Sequence, residues 1–203
     1  MGGQPHRCGV APRSSAHPSH FRLAVITHRI GTTELEPEPE VVNRATDFVS
    51  DLRKAVGPDF LLWLPGVVAV VRDQNRRVLL QRRTAASQWT PLSGIVEPGE
   101  APAAAVAREV HEETGVRVVV ERLAAVTNSP PVQHSNGDRA QYLEIIFACR
   151  PAGPDSSPRV CDDESVEVGW FSLDALPPMS ARMREIIAVV EKDETAAWFA
   201  PVE

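Results

Sequence analysis

One stretch of this chain carries charge that a helix built for stability alone would avoid. Between Ala101 and Thr114, Ala103, Val106, Ala107 and Val110 recur at helical spacing and define a buried arc. On the neighbouring arc Glu109, Glu112 and Glu113 fall within about 100° of one another, at about 100° of rotation per residue. Like charges one turn apart repel by tenths of a kcal/mol when exposed and by more when partly buried. A stabilising pattern places Lys or Arg four residues after Glu, yet Glu109 is followed there by Glu113. The repulsion is tolerable if a hard dication sits among the oxygens, and Mg²⁺ or Mn²⁺ suits such a donor set.

The flanks fit a tight loop–helix–loop unit. Pro102 falls in the first turn, where a missing N–H is harmless, and Gly115 falls where a left-handed C-cap belongs. Glu100 precedes the helix on a loop able to swing its carboxylate toward the same place. Arg108 is placed to pair with a carboxylate and orient it.

Taken together, Gly94, five residues, Glu100, seven residues and then Arg108-Glu-Val-His-Glu-Glu-Thr-Gly115-Val116 agrees with the spacing of the Nudix box, and the chain resembles the Nudix hydrolase family. The resemblance runs from about 61 to 190. Trp89–Gly94 is similar to the strand leading into the box, with Ser93 where Gly is common, and Glu167–Pro177 is similar to the closing strand and turn. It implies an α/β fold, an α/β/α sandwich with a mixed sheet. It also implies metal ligation by Glu109, Glu112 and Glu113 with Glu100 joining them, and catalysis by Glu112, Glu113 and Arg108. A loop glutamate near the closing strand serves some members as general base; of Asp162, Asp163 and Glu164, Glu164 is the choice here. The reaction implied is metal-dependent cleavage of a pyrophosphate bond.

Pro131, sixteen residues after Gly115, resembles a position in ADP-ribose pyrophosphatases. The expected substrate is therefore a small-molecule nucleotide, a nucleoside diphosphate linked to another group such as ADP-ribose or a nucleotide sugar. The alternatives are a nucleoside triphosphate and a non-catalytic nucleotide sensor on the same fold; an intact box argues against the sensor. Arg82, Arg83 and Arg139 could meet phosphates. Arg82, Gly94 and Pro131 are the expected substrate contacts, and Trp89 or Tyr142 could stack on a base.

Around the box the chain alternates short strands and helices. Pro65–Val71 and Val78–Gln81 read as paired strands across the polar turn Asp73–Arg77. Strands are expected at 116–126, 141–149 and 166–171, with a turn at Asn136–Gly137 and a closing amphipathic helix at Ser180–Glu191. Residues 41–57 form an extra amphipathic helix stopped at Gly57–Pro58, and 58–195 form the Nudix domain. Residues 1–40, rich in Gly, Pro, Ser and His, read as a flexible leader.

Composition removes other classes. A net charge of −6 offers no general grip on nucleic acid or anionic lipid. Three cysteines, none in a CxxC pair, make neither a disulfide framework nor a zinc site. The absence of a long apolar run points to a cytoplasmic protein without a membrane partner, and homodimerisation is expected by analogy with the family.

Overall fold

The computed structural model describes residues 44–83, 88–134, 136–154 and 156–199. The leader expected at 1–40 lies outside them.

Strand β1 (Leu62–Val71) organises the fold, because its second half is apolar and buried on both faces. Such a strand needs partners on both edges. It finds β4 (Leu92–Ile95), antiparallel, on one side and β7 (Arg139–Pro151), parallel, on the other. β7 then pairs antiparallel with β5 (Val118–Asn128) and with the short β6 (Val132–Gln133). β9 (Trp198–Phe199) adds a parallel edge to β5. With both edges of β1 filled, β2 (Arg77–Arg83) cannot pair with it beyond one bridge, Arg72 to Val78. The expected pairing of these neighbours is therefore corrected. β2 instead forms a second, antiparallel sheet between β3 (Trp89–Thr90) and β8 (Ser165–Ser172).

Parity divides the core. Val67, Ala69, Val71 and Leu79 pack with Ala105, Val106 and Val110 of helix α2 (Pro102–Thr114). Val68, Val70, Val78 and Leu80 point the other way, onto Ile186, Ile187 and Val190 of α3 (Ala181–Glu191). Helices thus cover opposite faces of the sheet layer, the expected mixed α/β sandwich. Helix α1 (Arg44–Val56) lays Val49 and Leu52 on Leu62, Leu64 and Ala140, a cluster that Ile95 and Tyr142 also cover. Arg53 ties it down: Nη1 donates to the carbonyls of Gly57 at 2.8 Å and Phe60 at 2.7 Å, and Nη2 to that of Arg139 at 3.1 Å. Among the described residues no helix is long and apolar enough to cross a membrane.

Candidate active site

Helix α2 starts at Pro102 and ends at Gly115, whose φ of 70° is the left-handed value that a C-cap requires. Between these limits it aims its carboxylates at β4 and at the end of β2. Glu109 lies against Gly94: a Cβ built there would stand 1.9 Å from the Glu109 Cδ. Gly94 is thus needed for close approach and not for an unusual φ.

Arg108 gathers the first group of carboxylates. Its Nε and Nη2 donate to the two oxygens of Glu100, each at 2.9 Å, and Nη1 donates to Glu109 at 2.9 Å and Glu112 at 3.0 Å. Arg83 gathers the second. Its Nη2 donates to Glu113 at 2.6 Å and to the Ser93 carbonyl at 2.9 Å, while Nη1 pairs with Glu164 at 3.2 Å. The structure therefore brings together Glu100, Glu109 and Glu112 on one guanidinium, and Glu113 with Glu164 on another. Glu109 and Glu113 lie one turn apart on α2, so the two groups adjoin.

The three helix carboxylates are not equivalent. Glu112 is the exposed one, its side chain 57 % accessible, whereas Glu113 is buried with its side chain 5 % accessible. Both Glu113 oxygens accept from Gln81 Nε2 at 3.1 Å. Glu113 is expected from the box to ligate metal beside the other two. Here it backs the cluster from behind, because at its angle on the helix it meets β2.

Burial raises the Glu109 carboxyl, with Arg108 pulling it down. Burial also pushes Glu113 up from an ordinary 4.5 to about 7, despite the lowering effects of Arg83 and Gln81. Glu100 moves the other way, held low by Arg108. Without metal, the folded chain keeps the Glu113 proton that the unfolded chain releases above 4.5. Stability from this group is therefore fullest below that pH and falls as pH rises toward 7, by on the order of 3 kcal/mol. The thermal midpoint of chelated protein is expected to drop from pH 5 to pH 8, and Glu113→Gln to flatten that slope. Equal slopes in the two proteins would show that the group does not titrate there.

Of the expected substrate contacts, Gly94 adjoins the carboxylates and Arg82 turns away from them. Arg82 points to the opposite face of β2 from Gln81 and Arg83; it pairs with Glu167 at 2.9 Å and sits over the Trp89 ring, 5.9 Å from its centroid. Of the two β2 arginines, the one that reaches the carboxylates is Arg83. Strand alternation carried that signal, since Leu79, Gln81 and Arg83 share the α2 face. Pro131 is exposed in the link between β5 and β6. Trp89 is buried edge-on against Phe171, whereas Tyr142 is half-buried with its hydroxyl 2.8 Å from His134 Nε2. Gln81 and Ser165 went unnoticed in the sequence.

Among the described residues no three His, Cys, Asp or Glu side chains close on one point at liganding distance. The donor set nonetheless fits a hard dication. Every donor is a carboxylate oxygen, and Glu100, Glu109 and Glu112 already converge on a single positive group, the Arg108 guanidinium.

A profile of the NUDIX domain matches residues 62–190. A MutT-like protein of Streptomyces ambofaciens is 32 % identical over 142 residues, covering 70 % of this chain and 82 % of that protein. The NAD-capped RNA hydrolase NudC of Chromobacterium violaceum is 36 % identical over 115 residues, 56 % of this chain and 39 % of its own length. An 8-oxo-dGDP phosphatase of Homo sapiens is 30 % identical over 62 % of this chain and 37 % of its own. The chain thus spans well under half of the latter two. Among solved structures, a MutT NUDIX hydrolase from Burkholderia pseudomallei superposes with a TM-score of 0.50 at 29 % identity, over 63 % of this chain and 98 % of that one. A UDP-X diphosphatase shares the fold at a TM-score of 0.53 and 22 % identity, over 76 % and 74 %.

Proposed function

The chain belongs to the NUDIX hydrolase family, and from that premise we propose that it cleaves the pyrophosphate bond of a nucleoside diphosphate linked to another group, such as ADP-ribose or a nucleotide sugar. The observation that carries this reading is the convergence of Glu100, Glu109 and Glu112 on one cationic centre, with buried Glu113 directly behind.

Glu109, Glu112 and Glu100 would hold the metal, with Glu113 completing the set. Mg²⁺ or Mn²⁺ so bound supplies positive charge to the phosphoryl oxygens and makes a water more acidic. Arg108 holds Glu100 with a two-pronged grip, the strong form of carboxylate pairing, and thereby fixes the loop from Val96 to Ala101. Gly94 lets the Glu109 carboxylate and the substrate chain approach the same backbone. Glu164 is the proposed general base. Arg83 holds it next to Glu113 and leaves it exposed enough to meet a water. Positioning and charge neutralisation carry the chemistry, as in other phosphoryl transfers.

Two of the relatives, matched over 39 % and 37 % of their lengths, carry names that support a diphosphate. NAD joins two nucleosides through a diphosphate, and 8-oxo-dGDP ends in one. The experiment is a substrate panel with Mg²⁺ or Mn²⁺ in which products are identified by mass. Two phosphate-bearing products from ADP-ribose or a nucleotide sugar are expected. Preference for a triphosphate would replace this substrate class, and inactivity across the panel would favour the non-catalytic sensor. A cytoplasmic homodimer with the domain at 58–195 belongs to the same reading, and sedimentation checks its mass. Deleting residues 1–38 is expected to leave turnover within about twofold, a change below 0.5 kcal/mol in barrier. A larger loss would make the leader part of the working enzyme.

A further inference from the structure

A buried polar chain connects α2 to the acidic loop before β8. Gln81 is fully buried in β2, and Ser165 and Glu113 are nearly so. Gln81 Nε2 donates to both Glu113 oxygens, while Gln81 Oε1 accepts from Ser165 Oγ at 2.8 Å. The Ser165 N–H donates to Asp162 Oδ1 at 2.8 Å and closes the loop on itself. Further along the strand, on the same face, Arg83 links Glu113 to Glu164. Buried amides are costly unless both ends are satisfied, and a fully satisfied chain specifies one arrangement.

A β-bulge makes this chain possible. β2 and β8 pair Gln81 with Val168 and Arg82 with Glu167, then skip Val166 to pair Arg83 with Ser165. In unbroken register Arg83 would face Val166, whose apolar side chain would meet the Gln81 amide. The extra residue leaves Val166 47 % exposed and brings Ser165 in, 7 % exposed. Bulges next to functional sites commonly re-aim a side chain in this way.

We propose that Gln81 and Ser165 are positioning residues, a clasp that keeps the loop Asp162–Ser165 in register with Glu113 and so holds Glu164 at the reaction site. The inference rests on the proposed role of Glu164. It is tested by a double-mutant cycle of Ser165→Ala and Glu164→Gln, with kcat and KM measured on the substrate the panel identifies, and by hydrogen exchange over 162–165. Ser165→Ala is expected to lower kcat about tenfold with KM nearly unchanged and to speed exchange in the loop, while Ser165→Thr, which keeps the hydroxyl, restores most of the rate. In the Ser165→Ala background Glu164→Gln should cost far less than in the parent, the non-additivity of groups acting as one unit. Asp162→Ala, in the loop rather than the core, should act in the same direction if Ser165→Ala folds poorly. Additive effects, an unchanged kcat in both clasp variants, or a normal rate for Glu164→Gln alone would overturn the clasp. An inactive parent enzyme would overturn the proposed function with it.

Discussion

Glu112→Gln is expected to lower kcat by about 10²–10³-fold, some 3–4 kcal/mol of transition-state stabilisation, while the thermal midpoint stays close to the parent's. The two halves of that expectation rest on different observations. Glu112 is more than half exposed, and among the described residues its carboxylate accepts one hydrogen bond, the 3.0 Å contact from Arg108. An exposed pair of this kind contributes at most about 1 kcal/mol to folding. Gln has the same shape and keeps a carbonyl for Arg108, so nothing in the core is disturbed. The charge is lost, however, and with it a hard anionic donor on the side of the cluster open to solvent. Glu113→Gln should lower turnover comparably by a different route, since that carboxylate anchors Arg83 and Gln81. Kinetics with Mg²⁺ titration, paired with thermal melts, check both. Near-normal rates in Glu112→Gln would remove metal catalysis at this helix from consideration, and near-normal rates in Glu113→Gln would show that its hold on Arg83 and Gln81 is dispensable.

How much of this is legible in the chain follows from what each residue answers to. The box carries the helix, its two ends and the pairing of Arg108 with a carboxylate, because these depend on local spacing and helical rotation; that Arg108 gathers three, Glu100, Glu109 and Glu112, is visible only in the structure. Glu113 shares that rotation, but its burial depends on β2 lying alongside, which no local pattern states. Parity separates Arg82 from Arg83, so that Arg83 and not Arg82 reaches the carboxylates of α2. Adjacent strand residues face opposite ways, and Leu79 and Gln81 already indicated which side met α2. The expected pairing of β1 with β2 does not form because a short polar turn suggests a hairpin, whereas β1 has both edges filled by β4 and by the sequence-distant β7. The Ser165 bulge was invisible for the same reason: register is a property of two strands and cannot be read from one.

Gly94→Ala provides the sharpest separation of site from fold. The new Cβ would fall 1.9 Å from Cδ, 2.1 Å from Oε1 and 2.4 Å from Cγ of Glu109, so the two cannot coexist as placed. The clash falls on the far end of a flexible side chain and not on backbone. Gly94 is not among the glycines with positive φ, so alanine imposes no backbone strain. Glu109 can therefore swing away toward solvent, losing its bond from Arg108, at a cost to folding of about 1–2 kcal/mol. Activity has no such escape, because displacing a carboxylate by even 1 Å from a productive arrangement costs about 10²-fold. Melting within several degrees of the parent is expected, together with a fall in kcat of at least that size and weaker activation by Mg²⁺. Pairing the change with Glu109→Ala should restore room but not rate. If Gly94→Ala alone kept full turnover, the Glu109 carboxylate could not be working from the position it occupies against β4.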